Sequence, residues 1–226
     1  MAITTKSKDT KGMDEGYIKY KSEPIHGPAP PQKSVDELNR IRTRLFDLGL
    51  IGMYNEGPNK GIGFGNISLR SKGNNFIVSC SATGEDRILA PGQYSEVVEY
   101  SLDKNWLKCV CSGTKPGKEE LLPASSESLT HAAIYEVLPG VGAVIHVHSM
   151  KAWNALLNKV PTTAKVPYGT PEMAREMMRL INEGDAKSKK IIVMAGHPEG
   201  IISFGKDLDE AMDALLHWIS PVLQIK

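Results

Sequence analysis

The sequence is poor in cysteine, carries almost no excess of either charge and has no long apolar run. Its three cysteines, Cys80, Cys109 and Cys111, are an odd and sparse set without CxxC spacing. That excludes a disulfide scaffold and fits a reduced, cytoplasmic protein. Cys109 and Cys111 share a strand face by alternation, but no nearby histidine completes a metal site with them. Lys+Arg 27 against Asp+Glu 26 leaves a formal charge of +1, so no global field draws the chain to nucleic acid or to an anionic membrane. No apolar stretch approaches the roughly 18 residues of a spanning helix. The start, "MAITTKSKDTKG", lacks the apolar centre of a secretory signal. No repeat or low-complexity tract is visible beyond that polar start. At 226 residues the chain can form one domain with a full core, or two small ones.

What is present is an uneven alternation of helical and strand-like patterns. Residues 1–33 end in "HGPAPPQKS", whose prolines oppose a helix, and read as an arm that is flexible or packed on the domain or a neighbouring subunit. His26 there reads as a solvated loop histidine. The domain is expected over residues 34–226. Ser34 and Glu37 form a capping-box pattern before Val35, Leu38, Ile41, Leu45 and Leu48 at helical spacing, and Gly49 stops the run. "FIVSCS", "SEVVEY" and "WLKCVC" read as short strands separated by turns. "SSESLTHAAIYEVLPG" reads as a helix with a serine start and a Pro139–Gly140 stop. A second helix follows Thr170 and Pro171 and stops at Gly184, and "KKIIVMAG" and "GIISFG" read as strands. The last helix is capped by Asp207 with Glu210 three residues on, and His217 within it reads as structural. Strands clustered early, with helices between and after them, predict a three-layer α/β/α fold around a mixed, largely antiparallel sheet.

The chemistry centres on "GAVIHVHS". Alternation sends Ala143, Ile145 and Val147 to one face and Val144, His146 and His148 to the other. Two imidazoles side by side serve either as satisfied core groups or as metal ligands. His197, at the end of the apolar "IIVMAG" strand, is the candidate third ligand. Glu127, at the start of the helix that leads into the His-x-His strand, is the candidate acid or base. His131 stands four residues beyond Glu127, on the same helix face, and is expected to support it. Three neutral imidazoles suit zinc and leave a position open for substrate oxygens.

"LPASSESLTHAAIYEVLPGVGAVIHVHS" resembles the signature of the class II aldolase/adducin family, the sugar-phosphate aldolases related to fuculose-1-phosphate aldolase. "GNISLR", "SATGEDRILAPGQYSEVV" and "GHPEGIISFGKDLDEA" match further blocks of that family in the same order. The turn "HPEG" is two residues longer than the His-Gly of the family. The resemblance implies that His146, His148 and His197 bind one zinc, or another divalent metal, per subunit. It implies that Glu127 is the catalytic acid/base. Asn66, Thr83, Gly84, Ser125 and Ser126 would hold the phosphate of a phosphorylated sugar. In isolation the two serines read as helix caps, and Asn66 and Thr83 as turn formers. Such a pocket contains no lysine or arginine and relies on an amide, hydroxyls and backbone N–H groups, with Gly65 and Gly84 admitting the phosphate to the backbone.

The implied activity is that of an aldehyde-lyase, a retro-aldol cleavage of a phosphorylated ketose through a metal-stabilised enediolate, in a homotetramer. The same framework serves a methylthioribulose-phosphate dehydratase, which keeps the glutamate, and pentulose-phosphate 4-epimerases, which have aspartate there. A non-catalytic adducin-like module would lack the histidine set, which this chain has in full.

Overall fold

The computed structural model describes residues 17–225. In chain order its elements are β1 (Lys21–His26), α1 (Gln32–Asp47), β2 (Gly52–Met53), β3 (Gly63–Phe64), β4 (Asn66–Arg70), β5 (Phe76–Ser79), β6 (Tyr94–Ser101), β7 (Trp106–Cys111) and α2 (Ser128–Val137). There follow β8 (Ala143–His148), α3 (Met150–Leu156), α4 (Pro171–Asn182), α5 (Ala186–Lys189), β9 (Ile191–Val193), β10 (Gly200–Gly205) and α6 (Leu208–Leu223). Eight strands form one sheet in the order β1-β7-β6-β5-β4-β8-β10-β9, and β2 and β3 form a separate hairpin.

β4 to β7 are an antiparallel meander, and β8, β10 and β9 extend it on the far side, also antiparallel. β1 alone among the described strands pairs in parallel, along β7. The sheet is therefore mixed and largely antiparallel, as the clustered short strands predicted. Helices cover both faces. α2 and α4 bury Leu129, Met173 and Met177 against Val78, Val144 and Ile202 on one side. On the other, α1, α3 and α6 bury Leu38, Ile41, Ala152 and Leu215 against Ile67, Ile145 and Val147.

This two-faced burial fixes the register of β8. Burying each large aliphatic side chain contributes about 1.5–3 kcal/mol. A one-residue slip would send His146 and His148 into the aliphatic layer and Ile145 and Val147 out of it.

Several boundaries differ from those expected. The second half of the segment read as an arm packs on the domain as the edge strand β1, with His26 exposed at its end; residues 1–16 lie outside the described residues. Pro24 is tolerated there because an edge strand leaves N–H positions unpaired. α1 starts at Gln32 with Pro31 at its N-cap, not at Ser34. Ser34 and Val35 already donate to the Pro31 carbonyl (2.9 and 3.1 Å), so Ser34 lies inside the first turn and caps nothing. α4 and α6 begin as read: Thr170 Oγ1 accepts from Met173 N (3.4 Å) and Asp207 Oδ1 from Glu210 N (2.8 Å). His217 is exposed on α6, edge-on to Trp218. Among the described residues no helix is long and apolar enough to cross a membrane.

Candidate active site

β8 lies between β4 and β10, and its last residues carry the site. His146 stands opposite Asn66 on β4 and Ile202 on β10, and His148 opposite Gly200. His197 arrives from the turn between β9 and β10. That turn is closed by His197 N donating to Met194 O (3.1 Å) and Gly200 N to His197 O (2.9 Å). Gly200 is needed for space. A Cβ there would stand 3.1 Å from His197 Nδ1 and 3.2 Å from His146 Cε1, pressing the two rings apart.

The three imidazoles meet. One nitrogen from each lies within 4.8 Å of the others, and all three side chains are buried. His146 Nε2 and His148 Nε2 are 3.0 Å apart. His146 Nδ1 faces the Ile201 carbonyl at 3.3 Å, and a carbonyl only accepts. The His146 proton therefore sits on Nδ1, and the Nε2 lone pair points into the cluster. Burial, followed by the neighbouring His148, His197 and His131, holds His146 well below its ordinary pKa, so the ring is neutral. Three imidazoles each bringing one nitrogen to a common point are the donor set that a borderline-soft divalent cation takes. The residues present fit a metal.

Glu127 lies beside this cluster, 2 % exposed, with Oε1 3.5 Å from His197 Nδ1. It is the N-cap residue of α2, and its other oxygen accepts from Thr130 Oγ1 at 2.8 Å. Tyr168 stacks on His197 with ring centroids 4.5 Å apart.

The expected support of Glu127 by His131 is not made. Glu127 sits at the cap, outside the helical repeat that would have aligned the pair. His131, fully buried, bonds through Nδ1 to Ser68 Oγ on β4 (2.7 Å), which in turn meets Tyr135 Oη (2.8 Å). Burial pushes the His131 pKa from 6.5 down to about 3. A lowered folded-state value means that the unfolded chain takes up the proton first. Stability is thus whole above about pH 6.5 and falls toward pH 3, by up to about 1.4 kcal/mol per pH unit. His131→Gln, which retains a group for Ser68, is expected to lose stability less steeply than wild type between pH 6.5 and 4 in urea unfolding. Parallel curves would assign the acid sensitivity to other groups.

Asn66, Thr83, Gly84, Ser125 and Ser126 come together on one cleft, which Glu127, His146 and His148 also line. Among the described residues no lysine or arginine lines it. Asn66 Oδ1 is buried without a hydrogen-bond partner among the described residues. Thr83 Oγ1 donates to Cys80 O (2.8 Å) and closes its own turn. Ser125 Oγ accepts weakly from Glu127 N (3.4 Å). The neighbouring backbone leaves no room for a side chain at 84. A Cβ there would lie 2.2 Å from the Gly52 carbonyl oxygen, and one at Gly65 2.8 Å from Ile51 Cγ1. Packing against the protein's own chain is by itself enough to require glycine at both.

Three contributors were missed in the sequence. Arg42, 1 % exposed in α1, donates to the carbonyls of Thr83 and Arg87 (2.9 Å each) and of Asp86. It fixes the turn behind the cleft, and burial lowers its pKa. Its only signal was an arginine beside the apolar stripe of an amphipathic helix. Tyr54 and Glu199 meet at His148: Tyr54 Oη is 2.9 Å from both His148 Nδ1 and Glu199 Oε2.

The family model for the class II aldolase and adducin N-terminal domain matches residues 52–219, most of the chain. The chain belongs to that family. No curated protein sequence matches it. Among solved structures it is similar to the L-fuculose-1-phosphate aldolase of Thermus thermophilus, at 20% identity over 86% of this chain and 92% of that one, with a TM-score of 0.56. It is similar also to a sugar-phosphate aldolase of Thermotoga maritima (15% identity, 85% and 94%, TM-score 0.58). YgbL of Escherichia coli is a third (18% identity, 85% and 87%, TM-score 0.58). At these identities the likeness is one of fold. Class II aldolases use a divalent metal, and the only group of three or more potential ligands within reach of one another among the described residues is His146, His148 and His197.

Proposed function

We propose that the chain is a zinc-dependent aldehyde-lyase that cleaves a phosphorylated ketose into a three-carbon ketone phosphate and an aldehyde. The observation that carries this reading is the placement of Glu127. A buried carboxylate stands beside three converging imidazoles, on the wall of the cleft that also holds Asn66, Ser125 and Ser126. The sugar-phosphate aldolases of the same fold support it.

The phosphate lies among Asn66, Ser125, Ser126 and the backbone at Thr83–Gly84, with the carbonyl and its neighbouring hydroxyl toward the imidazoles. A divalent cation held by His146, His148 and His197 supplies positive charge for the electron pair left when a C–C bond breaks beside a carbonyl. On cleavage the pair stays with the three-carbon fragment as an enediolate. The hydroxyl on the departing carbon gives its proton to solvent as that carbon becomes the aldehyde. Glu127, in its acid form, hands a proton to the enediolate carbon and is reprotonated from solvent, which closes the proton balance. The reading includes the homotetramer that the family resemblance implies and the cytoplasmic location that fits the sparse cysteines.

The test is direct. Purified protein incubated with phosphorylated ketoses should release an aldehyde, and a chelator should stop it. Loss of water from the sugar phosphate without any aldehyde would overturn cleavage and assign the dehydratase reaction, which the same glutamate can serve.

A further inference from the structure

We infer that Tyr54 and Glu199 are positioning residues that fix the tautomer of His148, so that its Nε2 lone pair faces the metal position. The inference rests on the metal reading proposed above and extends it to residues outside the ligand set.

The direction of the hydrogen bonds decides the tautomer. Tyr54 Oη lies 2.9 Å from His148 Nδ1 and 2.9 Å from Glu199 Oε2, while Glu199 Oε2 and His148 Nδ1 are 3.8 Å apart. A carboxylate only accepts, and a phenol has one proton to give. Tyr54 therefore donates to Glu199, and its oxygen accepts from His148 Nδ1–H. With its proton on Nδ1, His148 presents a bare Nε2, the atom that faces His146 Nε2 across 3.0 Å. An Ile201 carbonyl gives His146 the same orientation; for His148 two side chains do the work.

Both side chains are held by backbone bonds. Tyr54 is locked into the β2–β3 hairpin by its own N donating to Ile62 O (3.0 Å) and its carbonyl accepting from Gly61 N (2.8 Å). Glu199 is pinned beside the β8 end by Ser149 N donating to Glu199 O (3.0 Å). It does so at φ +72°, a left-handed conformation that costs a side-chain-bearing residue about 1–2 kcal/mol. Phe64, on the same hairpin, stacks on the His148 ring at 5.5 Å and touches Tyr54 at 4.6 Å, which sets the plane of the imidazole. Ligating histidines commonly hand their second N–H to such an outer group, which orients the ring and raises its basicity.

The experiment compares wild type with Tyr54→Phe and Glu199→Gln. Nitrogen-15 NMR of metal-free protein reads the His148 tautomer, and competition against a chromophoric chelator reads zinc affinity. Wild type is expected to show Nδ1–H. Tyr54→Phe, which removes the relay without changing charge, should show mixed tautomers and about 10–100-fold weaker zinc binding. Glu199→Gln should also mix them, because an amide can donate to Tyr54 and reverse the chain. It keeps the test available should the tyrosine variant fail to fold. Zinc binding by wild type with an unchanged tautomer and affinity in both variants overturns this inference alone. A wild-type protein that takes up no zinc overturns the metal reading, and this inference with it.

Discussion

Glu127→Gln is expected to lower turnover by about 10²–10⁴, the worth of one general acid or base. The substitution keeps the shape of the side chain and leaves an oxygen to accept from Thr130 Oγ1, which bonds it at 2.8 Å. The fold and zinc uptake should therefore be preserved. KM should change little, because Asn66, Ser125 and Ser126 are untouched. Steady-state kinetics on the purified variant separate the possibilities. A fall in kcat with KM retained marks Glu127 as the group that moves the proton. Undiminished kcat would remove it from the reaction, and a loss expressed only in KM would make it a binding residue.

His146→Ala should abolish both turnover and the stabilisation that zinc confers. Removing an outer partner of a ligand costs about 10–100-fold in affinity, and removing a ligand costs more. In wild type, zinc at a hundredfold excess over its Kd should add about 2.7 kcal/mol of stability. The variant should show no zinc-dependent shift in its unfolding midpoint. Since His146 is buried and neutral in the metal-free fold, its replacement leaves no stranded charge, and the variant is expected to fold. An equal zinc-induced shift in both proteins would place the ion elsewhere.

Much of the site was legible because it lies on one strand and one turn. The period-two alternation of β8 sorted Ile145 and Val147 from His146 and His148 correctly, since each face is buried against a different helical layer. His197 was readable as the residue that follows an apolar strand, and it stands in the turn after β9. Partnerships between elements distant in sequence were not readable. The four-residue spacing of Glu127 and His131 suggested a pair, but Glu127 lies at the helix cap and Ser68 from β4 takes the imidazole. The capping-box letters at Ser34 and Glu37 lost to Pro31, whose restricted φ starts α1 earlier. β1 was hidden because "KSEPIH" has neither apolar alternation nor a proline-free run, and only parallel pairing with β7 makes it a strand. The short α3, α5 and the β2–β3 hairpin carry too few residues for a periodic pattern. Arg42, Tyr54 and Glu199 act through partners 41 or more positions away, a relation that no local pattern encodes.

Calorimetric titration of the chelator-stripped protein with zinc tests the convergence of the three imidazoles most directly. One equivalent per chain is expected, with binding that weakens at pH values where the free imidazoles take up protons. Saturation at a single site that vanishes in His146→Ala would agree with the geometry. No uptake at neutral pH by a correctly folded protein would contradict it and leave the cluster as a set of buried core histidines.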